Sequence, residues 1–391
     1  MISDDLFTRF YAIYGKPENQ PRLFFAPGRV NLIGEHTDYN GGYVLPCALQ
    51  YGTYLLIRQS SEEMIKLASA NFEFRADIRL ADISRKIDSQ WVNYPLGIFD
   101  QFRQMNLNLP GFEIFYSGDI PNSAGLSSSA SIEMVTAYAL SVMINAIQLS
   151  MWDLIKLSQR SENQFVGVQC GIMDQFAVGM GAKDHALFLN CQTLDYNRVP
   201  MILNGFKFII ANTNKPRDLT DSKYNERVAE CQLAVSCLSQ IISISKLGEI
   251  SYVQFYKMQD EISDPLIRKR ARHVISENQR VLNSMACLNR GDISQFGALM
   301  NASHESLRDN YEVTGFELDT LVEEAQKING VIGARMTGAG FGGCTVNLVR
   351  ESAIEDFKSH VGAGYHAKTG LKADFYLAEI SDGVKEITNH S

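Results

Sequence analysis

The stretch Gly118–Ser131, GDIPNSAGLSSSAS, has the residue types of a phosphate-binding loop. Small side chains let backbone N–H groups approach an anion, and the unpaired N–H groups and dipole of a helix start favour negative charge. The hydroxyls of Ser127, Ser128 and Ser129 add donors, and one of them could ligate a magnesium ion. The competing reading is an ordinary Ser-capped helix without a ligand. One Ser suffices for a cap, and four within five residues after a Gly exceed that need.

Two further clusters could do chemistry. In Leu23–Asn40, LFFAPGRVNLIGEHTDYN, the residues Glu35, His36, Asp38 and Asn40 crowd together near glycines. Such a set suits a ligand with many hydroxyls, each of which both donates and accepts. A polar loop closed by Asx turns is the alternative. Arg29 sits among apolar residues, where a guanidinium needs an anionic partner, either a structural carboxylate or a phosphate. Asp174 is the lone acid in an uncharged run from Phe165 to Ala182. An acid so placed has a partner or a task. Glu162 lies on the amphipathic segment before it, and Tyr224 and Arg227 stand in SKYNER.

The elements that must position these residues follow from periodicity. Alternating Phe112, Ile114 and Tyr116 predict a strand over Gly111–Ser117 ahead of the Ser-rich loop, and Ile132–Ile147 predicts a buried helix after it. A short helix is expected over Asp4–Tyr14. Leu23–Phe25 should enter a Pro-Gly turn, and strands are expected at Tyr54–Arg58, Ile65–Ser69 and Phe72–Ala76. Trp91–Gln104 reads as a helix with Pro95 in its first turn. Trp91 and Tyr94 near its start suit core packing or an adenine-stacking wall equally well. PMILNG at 200–205 is the best domain boundary, followed by a strand at Phe206–Asn212 and a mostly helical stretch over 218–290. RMTGAGFGG, Arg335–Gly343, contains GxGxxG, but the β-branched run Cys344–Val349 follows where a dinucleotide fold needs a helix. A turn that lets backbone approach another loop or a ligand fits better.

Composition narrows the class. The 391 residues are 45% hydrophobic and 20% charged with net charge −8, which is globular and lacks the basic footprint of a nucleic-acid binder. Acids near the N-terminus and the lack of a long apolar run point away from a signal peptide and a membrane span, so a cytoplasmic location is expected. The seven cysteines form no CxxC and the seven histidines show no zinc-ligand spacing, so reduced thiols are expected. GxxxxGK[ST], HRD and DFG are all missing, which excludes P-loop proteins and protein kinases.

Three segments together resemble the small-molecule kinases, the family of galactokinases, homoserine kinases, mevalonate kinases and phosphomevalonate kinases. They are APGRVNLIGEHTDYNGGYVLPCAL (Ala26–Leu49), PNSAGLSSSAS (Pro121–Ser131) and RMTGAGFGGC (Arg335–Cys344). The first is similar to the galactokinase signature in particular, and WVNY, ENQFVG…CGIMDQ, SKYNER and SLRDNYEV extend the likeness over nearly the whole chain. The resemblance implies an α+β fold of two domains, taken here as 1–204 and 205–391, with the active site in the cleft between them. It implies that Ser123, Ala124, Gly125, Leu126, Ser127, Ser128 and Ser129 wrap the ATP phosphates, and that Trp91 and Tyr94 line the adenine pocket. Ser129 and Glu162 match Mg²⁺ ligands. Asp174 matches the catalytic acid/base, with Arg29 as its cationic neighbour, and Glu35, His36, Thr37, Asp38, Gly171 and Tyr224 match the sugar-binding set. The implied reaction moves the γ-phosphoryl group of ATP to the C1 hydroxyl of α-D-galactose. Ala339 stands where the family often has a third Gly, which keeps an N-acetylgalactosamine kinase as the second reading. A non-catalytic sugar and ATP sensor, as some relatives are, is the third. Small-molecule partners, no nucleic acid, no membrane and a monomer complete the expectation.

Overall fold

The computed structural model describes all residues except 1, 17, 18, 89, 122–124, 145–147, 169, 217–219 and 389–391. Ser123 and Ala124 of the expected phosphate loop therefore lie outside the described residues. Among the described residues the strands are β1 Arg22–Asn31, β2 Tyr43–Val44, β3 Pro46–Ser60, β4 Met64–Ser69, β5 Ala76–Arg79, β6 Gly111–Gly118, β7 His185–Asn190, β8 Tyr196–Pro200, β9 Phe206–Asn212, β10 Val331–Thr337, β11 Cys344–Arg350, β12 Asp374–Ala378 and β13 Lys385–Ile387. The α-helices are α1 Ile2–Tyr14, α2 Asn93–Gln104, α3 Ser128–Met143, α4 Met151–Arg160, α5 Met173–Met180, α6 Thr220–Leu238, α7 Tyr252–Met258, α8 Pro265–Asn289, α9 Ile293–Ser306, α10 Phe316–Gln326 and α11 Ile354–Thr369.

The period of two along a strand decides how the main sheet is covered. That sheet runs β13-β1-β3-β6-β4-β5, parallel only between β4 and β6. Leu23, Leu56 and Phe115 lie side by side across β1, β3 and β6 and pack against Leu6 and Phe10 of α1. Their neighbours Phe24, Leu55 and Tyr116 turn to the other face, where α2, α3, α4 and α5 cover them. Each such side chain contributes roughly 1.5–3 kcal/mol on full burial. A second sheet, β10-β11-β9-β12, is covered on one side by α10 and α11, and the small sheet β2-β7-β8 lies in the first half of the chain. A third cluster, with Val30, Leu32 and Leu45 from the first half and Val281, Phe296 and Val346 from the second, joins the two parts. The last strand, β13, returns to pair with β1.

Two expectations are corrected. Pro27–Gly28 is no turn: β1 continues through it with a register shift between Pro27 and Arg29. A bulge absorbs the missing Pro N–H, and Gly28 lets the carbonyl of Leu126 approach to where a Cβ would sit 2.7 Å away. The strand expected at Phe72–Ala76 begins only at Ala76, and Phe72 instead stacks on Trp91 at 5.9 Å. The helix after the Ser-rich loop also starts about one turn earlier than its apolar pattern, at Ser128. No helix among the described residues is long and apolar enough to cross a membrane, and the seven cysteines are free thiols.

Candidate active site

Just past the register shift between β1 and β3, the Arg29 side chain reaches Asp174 on α5. Its guanidinium grips Asp174 in bidentate fashion, Nε to Oδ1 at 2.7 Å and Nη2 to Oδ2 at 2.6 Å. Its third nitrogen donates to the carbonyl of Gly125 at 2.7 Å, which ties the Ser-rich loop to the pair. The Ser127 hydroxyl also donates to Asp174 Oδ2, at 2.5 Å. These three donors take three of about four lone-pair sites on a carboxylate. One site, on Oδ1, is left to face the cavity.

Ser127 is the N-cap of α3 and adopts the left-handed conformation, φ 59°. It makes no side-chain capping bond, because its hydroxyl goes to Asp174. An ordinary Ser cap therefore does not account for this loop. The helix start keeps backbone donors for an anion. Ser128 and Ser129 follow in the first turn. Glu162 comes from the π-helical turn Ser161–Val166 after α4, and the Ser129 hydroxyl bonds to its carboxylate. Burial, with the nearby Asp174 charge, raises the Glu162 carboxyl, and Gln175 Nε2 donates to it at 2.6 Å.

Glu35, His36 and Asp38 leave β1 on a tight loop with left-handed residues at Gly34 and His36. The Glu35 carboxylate accepts from Asn31 and from the N–H of Gly338 in the Gly-rich turn, and buried Arg335 stands 3.6 Å away. Burial pushes its carboxyl up, and these partners pull it back. The His36 imidazole lies among Tyr39, Tyr224 and Tyr311, and burial beside His273 lowers it to about 3, so it is neutral. Burial and the Asp174 charge raise Asp38 to about 7. Gly171 serves through its lack of a side chain, since a Cβ there would sit 1.8 Å from Asp38 Oδ2.

These residues surround a cavity of about 380 Å³. Arg29, Glu35, His36 and Asp38, the loop Gly125–Ser129, and Glu162, Gly171 and Asp174 all line it. Tyr224, Asn225, Gly338 and Ala339 close it from the second half of the chain. Among the described residues of the lining Arg29 is the one guanidinium, against four carboxylates.

Three expected residues stand elsewhere. Thr37 is a correction: it is fully buried, its hydroxyl lies between the carbonyls of Gly34 and Tyr43 at 2.8 and 2.6 Å, and it lines no part of the cavity. Trp91 and Tyr94 also lie outside the lining. Trp91 donates Nε1–H to the carbonyl of Phe74, and Asn71 pins the same loop to Gly118, where the Ser-rich stretch begins. Two lining residues not singled out from sequence, Cys170 and Asn225, lie inside the quoted motifs CGIMDQ and SKYNER. Glu133 was also missed. It is fully buried in α3, Gln175 Nε2 stands 3.3 Å away, and burial together with Glu162 raises its carboxyl far above the usual range. The signal that marked Asp174, an acid alone in an apolar run, applies to Glu133 as well.

Comparison with known proteins agrees with this geometry. Residues 8–59 match the galactokinase galactose-binding signature, 93–182 the N-terminal domain of GHMP kinases and 284–367 their C-terminal domain. A galactokinase from Halalkalibacterium halodurans is 50% identical over 98% of this chain and 97% of its own length. One from Clostridium beijerinckii is 48% identical over 97% of both. The crystal structure of Lactococcus lactis galactokinase complexed with galactose superposes with a TM-score of 0.96 at 42% identity, covering 99% of this chain and 100% of that one. With the signature, both kinase domains and full-length identity near one half in agreement, the chain belongs to the galactokinases, ATP-dependent sugar kinases of the GHMP fold.

Proposed function

We propose that the cavity binds α-D-galactose and ATP and makes galactose 1-phosphate and ADP, with Asp174 as base and Arg29 offsetting charge. The observation that carries this reading is the Arg29–Asp174 pair, set between a hydroxyl-matching loop and an uncapped helix start. The C1 hydroxyl oxygen attacks the γ-phosphorus, the bond from that phosphorus to the β–γ bridging oxygen breaks with ADP leaving, and the proton of the C1 hydroxyl passes to the open Oδ1 site of Asp174. Arg29 holds the carboxylate in place and presents positive charge where charge builds up. Glu35, His36, Asp38, Gly171 and Tyr224 are the proposed sugar set. A neutral His36 can donate to or accept from a hydroxyl, and Asp38 accepts from one. Gly125–Ser129 would hold phosphate with backbone N–H groups, and Ser123 and Ala124 belong to the same proposed loop. Trp91 and Tyr94 are proposed to line the adenine pocket.

Ser129 and Glu162 would hold Mg²⁺. The donor set fits: two hard oxygens side by side, in a cavity where, among the described residues, one guanidinium faces four carboxylates. Among the described residues no three His, Cys, Asp or Glu side chains form a metal cage. Mg²⁺ characteristically takes one or two protein ligands and fills the rest with phosphate and water. When bound, the ion neutralises charge on the phosphate oxygens. The free thiols fit a reducing cytoplasm, and the proposed state is a monomer. A division at 204/205 is supported by the sheets, whose strands stay on one side of it except β13.

The test is ADP release with ATP, Mg²⁺ and, in turn, galactose, N-acetylgalactosamine, glucose and arabinose. A strong preference for galactose is expected. Preference for N-acetylgalactosamine would move the substrate and make Ala339, which lines the cavity, the residue to examine. No turnover with any sugar would overturn catalysis in favour of sensing.

A further inference from the structure

We infer that α8, which supplies no atom to the cavity, is part of the sugar-recognition apparatus: His273, Glu277 and Asn278 hold the backbone of the loop that carries Glu35, His36 and Asp38. The inference rests on the reading of that loop as the sugar-binding set.

The loop cannot hold its own shape. Gly34, His36 and Gly41 all take left-handed conformations, with φ of 98°, 60° and 68°. For His36 this is costly, because its Cβ crowds the backbone. The loop has internal bonds, from the N–H groups of Asn40 and Gly42 to the carbonyl of Thr37 and from the Thr37 hydroxyl to the carbonyls of Gly34 and Tyr43. The N–H groups of Gly34 and Tyr43 and the carbonyl of Glu35 are held from outside it.

Three side chains of α8 do that. Glu277 Oε1 accepts the N–H of Gly34 at 2.9 Å and the hydroxyl of Ser303 on α9 at 2.6 Å. Its other oxygen accepts from Arg280 Nε at 2.6 Å. Asn278 Oδ1 accepts the N–H of Tyr43 at 2.9 Å, closing the other end of the loop. His273 Nε2 lies 3.1 Å from the carbonyl of Glu35. A carbonyl only accepts, so Nε2 carries the hydrogen and Nδ1 accepts from the Ser306 hydroxyl at 2.9 Å. His273, Glu277 and Val281 recur every four residues and so share one stripe of the helix. Val281 packs where a Cβ on Gly34 would come within 2.9 Å. The apolar contacts of α8 lie largely elsewhere, through Ile267, Ala271, Val274, Ile275 and Leu288. The fit leaves no slack at Gly42, where a Cβ would stand 2.2 Å from Asn278 Oδ1.

These are positioning residues: they touch the backbone behind the sugar-facing side chains. Their loss should therefore appear in sugar binding and spare ATP. Asn278→Ala takes away the side-chain partner of the part-buried N–H of Tyr43. The galactose KM should rise about tenfold, with kcat and the ATP KM within about twofold of wild type. Asn278→Asp keeps the accepting oxygen and should restore most of the galactose KM. If Asn278→Ala does not fold, Ser303→Ala removes one hydroxyl from Glu277 and should raise the galactose KM roughly two- to threefold, again sparing ATP. A fall in Tm with an unchanged galactose KM, or equal changes in both KM values, would overturn the inference while leaving the sugar site standing. Lack of galactose turnover in the wild type would overturn the site reading itself, and the clamp with it.

Discussion

The proposed sugar side and the proposed phosphate side of the cavity meet at Arg29 and Asp174, yet they are held together in opposite ways. On the sugar side, side chains from distant parts of the chain satisfy the loop: Gly34 by Glu277, Tyr43 by Asn278, the Glu35 carbonyl by His273, the Glu35 carboxylate by Gly338. On the phosphate side, Ser127 spends its hydroxyl on Asp174, and α3 begins without a side-chain cap. The difference teaches a division of labour. A sugar is distinguished from its epimers by where each hydroxyl points, so its recognition needs preset geometry. A phosphate offers oxygens in every direction, so exposed backbone N–H groups and a cation suffice.

Substitution at the junction should stop the transfer while leaving binding on both sides largely in place. Asp174→Ala is expected to lower kcat by about 10²–10⁴-fold, measured by coupled ADP release, while ATP binding by calorimetry survives. Near-normal turnover would remove Asp174 as the base. Arg29→Ala should lower kcat more than it weakens sugar binding, and an effect confined to KM would make Arg29 a binding residue.

A second change sharpens the contrast from the sugar side. Gly171→Ala places a methyl against Asp38 Oδ2 and should raise the galactose KM by at least about tenfold with the ATP KM little changed. Equal loss of both affinities would show that the two sides are not independent.

The smallest expected effect is on stability. Asp38 is raised to about 7 in the folded protein from an ordinary value of 3.8, first by burial and then by Asp174. Between those two values the folded state holds a proton that the unfolded state has lost. Rising pH therefore withdraws stability across that window, and Asp38→Asn does not titrate. The Tm of Asp38→Asn relative to wild type should be higher at pH 8 than at pH 5, on the order of a few degrees. An offset that is the same at both pH values would mean that Asp38 is ionised at no cost, and that the sugar side is less tightly built than described.

Much of this was legible from local sequence. Alternating apolar residues marked β6, a β-branched run marked β11, the boundary before it marked β9, and periodic apolar residues marked α1 and α2. Asp174 stood out because a charge among apolar residues needs a reason. The same logic passes over Thr37, which looks like its polar neighbours until the fold turns it away from the cavity. Pro27–Gly28 misled for a related reason. The dipeptide reads as a turn in isolation, and only pairing with β3, together with the approach of the Leu126 carbonyl, makes it a bulge, just past which Arg29 reaches Asp174.

By itself the sequence determined which segments carry chemistry, through residue types packed within short windows: the hydroxyls and glycines at 125–129, the acids and His at 35–38, the lone Asp174. Only the tertiary structure decided how they meet. Arg29 and Asp174 are 145 residues apart, and Gly34 and Glu277 are 243 apart. Contacts at that range leave no mark in spacing or periodicity, since they arise where separate helices and strands bury their apolar faces against one another and carry their polar side chains along.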